Sequence, residues 1–136
     1  MYDKNTFLTE RLLGVPPWFK SDGCSHVPDF KFLAPCCRRH DWDYWLGFTA
    51  ETFDEGRALA DKFFFSNMLH NAPLNPDGSK VGFRKRWRRR FAAVTYWRGV
   101  RRFGGSSPRT RLVRLNEGDH VALMDVAKAE GKYKEA

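Results

Sequence analysis

The chain has 136 residues, an apolar fraction of 42% and an aromatic share of 15%, which suits one ordinary domain with a packed core and excludes wholesale disorder. Its formal net charge of +8 favours anionic partners: phospholipid headgroups, nucleic acid or acidic protein. No apolar run approaches the roughly 18–20 residues of a membrane span, and Met1-Tyr2-Asp3-Lys4-Asn5 carries an early acid and no hydrophobic core, so no secretory signal is expected as written.

In chain order, residues 5–13 are expected to form a short helix. Asn5 or Thr6 would cap it, and Leu8, Leu12 and Leu13 would face inward. Gly14 and Pro16-Pro17 end it. Ser21-Asp22-Gly23-Cys24-Ser25-His26-Val27-Pro28-Asp29 reads as a loop, dense in turn formers and rich in oxygen donors for a hard cation.

The first main helix is expected from Ala34 or Pro35 to Phe48, with proline in its first turn and Gly47 near its end. Residues three or four apart share a helix face, so Cys37, His40 and Tyr44 form one stripe. Asp41 turns aside by about 100°. That layout suits a base and a metal ligand working on one substrate. Thr52-Phe53-Asp54-Glu55 reads as a capping box, opening a second helix that runs to about His70. Ala58, Asp61, Phe65 and Met68 lie on one side of it, and an acid on an apolar stripe needs a reason to be there. Phe63, Phe64 and Phe65 cannot all face inward, so at least one is expected to line a cleft or an acyl-chain channel.

A turn-rich connection follows, and a third helix is expected from near Ser79 to Phe103, stopped by Gly104-Gly105. Phe83, Trp87, Phe91 and Val94 follow its period. Between Arg84 and Arg102 lie nine basic residues and no acid. The segment after 104 opens with linker composition, offers apolar patches near Leu112 and Val121, and is expected to form a short strand or helix docked loosely, with disorder at the end. The domain division is thus 1–104 and a linker and tail over 105–136.

Cys24, Cys36 and Cys37 leave several states open. They can be buried free thiols, and Cys24, His26, Cys37 and His40 could be assembled as zinc ligands, although Cys36-Cys37 departs from the usual C-x₂₋₄-C spacing.

Asp22-Gly23-Cys24, Pro28-Asp29, the aromatic stretch Phe30 to Phe32, and Cys37-Arg38-Arg39-His40-Asp41-Trp42-Asp43-Tyr44 together resemble the compact prokaryotic branch of the phospholipase A2 family. Asp61 answers to the family's aspartate on the next helix, and Thr95 to Gly104 is similar to its closing helix. The likeness spans about residues 18 to 104. The glycine-rich calcium loop of the animal secreted enzymes is missing, and the basic third helix and the tail are additions.

The resemblance implies an all-α fold with two antiparallel core helices carrying a His/Asp site and a metal-binding loop, to which this chain is expected to add a third, basic helix. It implies a calcium-dependent hydrolase that cleaves the sn-2 ester of glycerophospholipids. His40 would be the general base, Asp61 would hold its other ring nitrogen, and Tyr44 would anchor that carboxylate. Asp41, the Asp22 side chain and the Gly23 carbonyl would bind Ca²⁺, and a Cys24–Cys37 disulfide would tie the loop to the helix. The family is usually secreted, and some relatives act from inside virus particles or as delivered toxins.

Elementary chemistry agrees with that division of labour. Histidine's ordinary pKa of about 6.5 suits proton abstraction near neutrality. Ca²⁺ takes about six to eight oxygens, which carboxylates, a carbonyl, water and substrate can supply. The basic run, with Trp87 among the cations, is expected to meet the anionic headgroups of a phospholipid membrane surface. A catalytically altered member of the fold, serving as a basic membrane- or nucleic-acid-binding module, is the rival reading.

Overall fold

A computed structural model describes residues 2–21, 32–103 and 114–135. Among these the architecture is all-α, with four helices: α1 (Ala34–Leu46), α2 (Phe53–Asn71), α3 (Phe83–Phe103) and α4 (His120–Glu130). Pro35 sits in the first turn of α1, where its missing N–H costs nothing. Gly47 ends α1 at φ 99°, a left-handed backbone that a side chain would resist. Thr52 caps α2 by accepting from the Glu55 amide, as the capping-box reading requires.

α1 and α2 run antiparallel. Phe48 meets Gly56, His40 stacks on Phe64, and Cys36 lies against Asn71, so one number rises as the other falls. A Cβ on Gly56 would stand 2.1 Å from Phe48 Cβ, so glycine is what lets the end of α1 approach the start of α2. Phe32, Leu33, Cys36, Cys37, Phe64, Met68 and Ala93 form one buried cluster, with Phe65, Tyr96 and Trp97 packed on it. α3 closes this cluster, and its Arg89 reaches back to the Leu74 carbonyl at 2.8 Å.

Four expectations need correction. Residues 5–13 form turns, not a helix. The Leu8 backbone is spent on Asn71, whose side-chain oxygen accepts the Leu8 N–H at 2.8 Å and whose amide donates to the Leu8 carbonyl at 3.0 Å. A helix needs those groups for its own ladder. Leu8 and Leu13 are buried as expected, while Leu12 is exposed. On α2, Phe64 is the buried phenylalanine, and Ala58 and Phe65 are only partly covered. α3 begins at Phe83, a turn later than Ser79, because Leu74 and Lys80 pair in an isolated bridge first.

At the end of the chain the short strand or helix expected is a helix, but it is packed firmly and not docked loosely, and order continues through residue 135. α4 buries Leu123 and Ala127 in a second cluster with Val15, Trp18, Phe19, Trp42, Trp45 and Leu46. The Leu115 amide donates to the Leu46 carbonyl at 2.9 Å, and Lys20 and Lys134 exchange backbone bonds with Lys132 and Trp18. α4 therefore covers the face of α1 that points away from α2. Single apolar residues spaced along a polar tail hide this, since their partners lie about eighty to a hundred positions upstream.

Candidate active site

α1 and α2 each bring part of one polar cluster to their shared face. From α1, His40 and Tyr44 stand one turn apart. From α2, Asp61 faces them and is fully buried. His40 Nε2 lies 2.7 Å from Asp61 Oδ1, and the Tyr44 hydroxyl donates to the same oxygen at 2.6 Å. An ionised carboxylate only accepts, so Nε2 carries a ring proton, and in the neutral imidazole Nδ1 keeps its lone pair. Phe64 stacks on the imidazole with ring centroids 4.4 Å apart, and Tyr44 tilts against it at the same distance. The ring is 8% exposed, so packing as well as hydrogen bonding sets its plane.

Burial by itself pushes the Asp61 carboxyl up. The hydrogen bonds from His40 and Tyr44, the charge of His40 and the bond from Arg101 outweigh that and hold it below the ordinary aspartate value. Burial, then the bond to Asp61, pushes the Tyr44 phenol up, so it stays a donor. The three residues assigned to catalysis by the resemblance are thus in one hydrogen-bonded set.

The metal ligands are placed only in part. Asp41 sits half-buried on α1, turned away from His40, and Ser21 Oγ donates to its Oδ2. Asp22, Gly23 and Cys24 lie outside the described residues, as does His26 of the zinc alternative. Among the described residues no group of three or more His, Cys, Asp or Glu is placed to hold a metal. The one described calcium candidate offers carboxylate oxygen beside a hydroxyl, which is hard-cation chemistry and not the sulfur and imidazole that zinc prefers. Cys36 is a buried free thiol, and Cys37 is buried in the same core cluster. The expected Cys24–Cys37 pairing rests on a residue outside the described set.

Two groups at the site were not anticipated. Arg101 Nη1 lies 2.8 Å from Asp61 Oδ2, and Arg57 Nη1 lies 3.5 Å from the same oxygen. Arg57 had a legible signal, since it precedes Asp61 by four residues on one helix. Arg101 was hidden in a run of cations. Phe63, one of the three consecutive phenylalanines, lines a small groove of about 70 Å³ with Asp43, Phe48, Leu59 and Arg114. Asp43 faces that groove from the opposite side of α1 to Asp41, and burial raises its carboxyl although Arg39 and Arg114 oppose the shift.

Phe83, Trp87 and Phe91 fall at four-residue intervals on α3 and are 67%, 52% and 75% exposed. Arg86 lies over the Phe83 ring and Arg90 over Trp87. No protein-family model, curated protein or solved structure matches the chain.

Proposed function

We propose that this chain is a calcium-dependent, phospholipase A2-like hydrolase with the corresponding fold, acting on the sn-2 ester of glycerophospholipids. The observation that carries the reading is the buried His40–Asp61 contact at 2.7 Å with Tyr44 on the same carboxylate oxygen. In this reading Nδ1 of His40 takes a proton from a water that attacks the ester, and Asp61 stabilises the imidazolium that results. Tyr44 donates to the same carboxylate oxygen and helps to anchor it. No serine or cysteine nucleophile is needed.

Asp41, Asp22 and the Gly23 carbonyl would hold the calcium, which when bound polarises the ester carbonyl. Asp41 fits that role by its oxygen chemistry and by diverging from His40 on the helix. Ser21, next in sequence to Asp22, already donates to Asp41. The exposed aromatic row of α3, between basic shoulders, would be the part that meets anionic lipid.

The test is fatty-acid release from mixed phospholipid vesicles with and without calcium. Release that needs calcium and disappears in His40→Gln supports the proposal. No release from the parent, or equal release from His40→Gln, rejects it. The same α3 surface favours one second reading, a catalytically altered member acting as a basic membrane- or nucleic-acid-binding module. Steeply salt-dependent DNA binding without any calcium effect would select it.

A further inference from the structure

Asp61 has more partners than orienting a histidine requires. Its Oδ1 serves His40 and Tyr44, and its Oδ2 receives two guanidiniums. One negative charge with no solvent exposure therefore meets two positive ones. Arg57 does more than pair with Asp61. Its Nη1 donates to the Val100 carbonyl at 2.9 Å and its Nη2 to the Arg101 carbonyl at 3.3 Å. Those carbonyls belong to the last turn of α3, where a helix leaves its acceptors without internal partners. Arg101 then returns from that same turn to Asp61. The result is a closed ring: α2 grips the end of α3 through Arg57, and α3 grips α2 through Arg101.

We infer that Arg57 and Arg101 are positioning residues for the His40–Asp61 pair, which makes the C-terminal turn of α3 part of the site. A carboxylate served on one edge only is free to rotate about χ2. Charge-assisted donors on Oδ2 fix its plane and leave the lone pairs of Oδ1 for His40 and Tyr44. The guanidiniums also keep a buried carboxylate ionised, and an ionised carboxylate holds the Nε2 proton of His40 more strongly than a neutral carboxyl does. The consequence for catalysis rests on the hydrolase reading, whereas the ordering of the imidazole does not.

Arg101 is the residue to change. Its side chain is 32% exposed, and its loss leaves the Arg57 bonds to α3 in place. The variants are Arg101→Gln, Arg101→Lys and, as a matched loss of one charge on the exposed N-terminal segment, Lys4→Gln. The readout is the exchange rate of the His40 Nε2 proton by NMR at one fixed alkaline pH, assigned by its disappearance in His40→Gln.

The parent and Lys4→Gln should show the same slow exchange. Arg101→Gln should exchange at least tenfold faster while the backbone amides of α1 keep their protection. Arg101→Lys, which keeps the charge without the fork, should fall between. If Arg101→Gln fails to fold by circular dichroism, Arg101→Lys carries the same comparison. In the vesicle assay Arg101→Gln should lower kcat at least tenfold with KM within about twofold. Unchanged Nε2 exchange in the Arg101 variants overturns the inference. A parent with no hydrolysis at all overturns the hydrolase reading alone, and the exchange data still decide the clamp.

Discussion

Replacing Asp61 with asparagine keeps the shape of the side chain and removes its charge. Four donors then face a group with one acceptor oxygen and an amide that is itself a donor. Either His40 and Tyr44 or the two arginines meet that amide. Breaking a buried ion pair by removing one partner costs about 3–5 kcal/mol. Arg101 can turn partly to water, being 32% exposed, which points to the lower end, about 3 kcal/mol. For a chain of this size that corresponds to a fall in Tm of roughly 10 °C.

The assay is equilibrium urea unfolding followed by tryptophan fluorescence, since urea does not screen charge. The pH dependence has a definite sign. Asp61 is held below its ordinary value in the fold, so its contribution is fully present above the unfolded aspartate pKa of about 3.9. It is lost as pH falls from there through the lower folded value, and the gap between parent and Asp61→Asn should close over that range. Asp43 shifts the other way, so stability attributable to it should fall as pH rises above about 3.9 toward its raised folded value. A cost for Asp61→Asn under about 1 kcal/mol near neutrality, no larger than a surface change, would refute the picture of a charge-balanced buried carboxylate.

Three further outcomes follow from the packing. Gly56→Ala should destabilise by about 1–3 kcal/mol despite alanine's better helix propensity, because its Cβ would stand 2.1 Å from Phe48 Cβ; urea unfolding measures this, and a neutral or stabilising result would count against the close approach. Leu123→Ala should cost about 2–4 kcal/mol in the same single transition that reports on Trp42, whereas a separate or unaffected transition would mean that 105–136 folds apart from the rest. Cys36, whose thiol burial pushes up to about 12, should resist iodoacetamide in the folded protein and react only after unfolding; alkylation at the rate of an exposed thiol would contradict its placement.

The line between what was legible and what was not follows interaction range. Local chemistry carried the helix ends, with Pro35, Gly47 and the Thr52–Glu55 box where their side chains and backbone preferences put them. Helical spacing carried the stripe of Cys37, His40 and Tyr44 and the divergence of Asp41. Asp61 stood out because a lone acid on an apolar face costs energy unless something pairs with it.

What spacing along the chain left open was every contact whose partner is remote. The turns over 5–13 arise because Asn71 takes the Leu8 backbone bonds from sixty-three positions away. The burial of α4 depends on tryptophans far upstream. The exposure of Phe83, Trp87 and Phe91 reflects α3 turning its other face to α2. By itself the sequence determined the two core helices and the body of the basic third one, and its motif pointed to the histidine, tyrosine and aspartate of the candidate site. Only the tertiary structure decided that two arginines share that aspartate, because pairing between distant charges is set by how helices pack and not by their order in the chain.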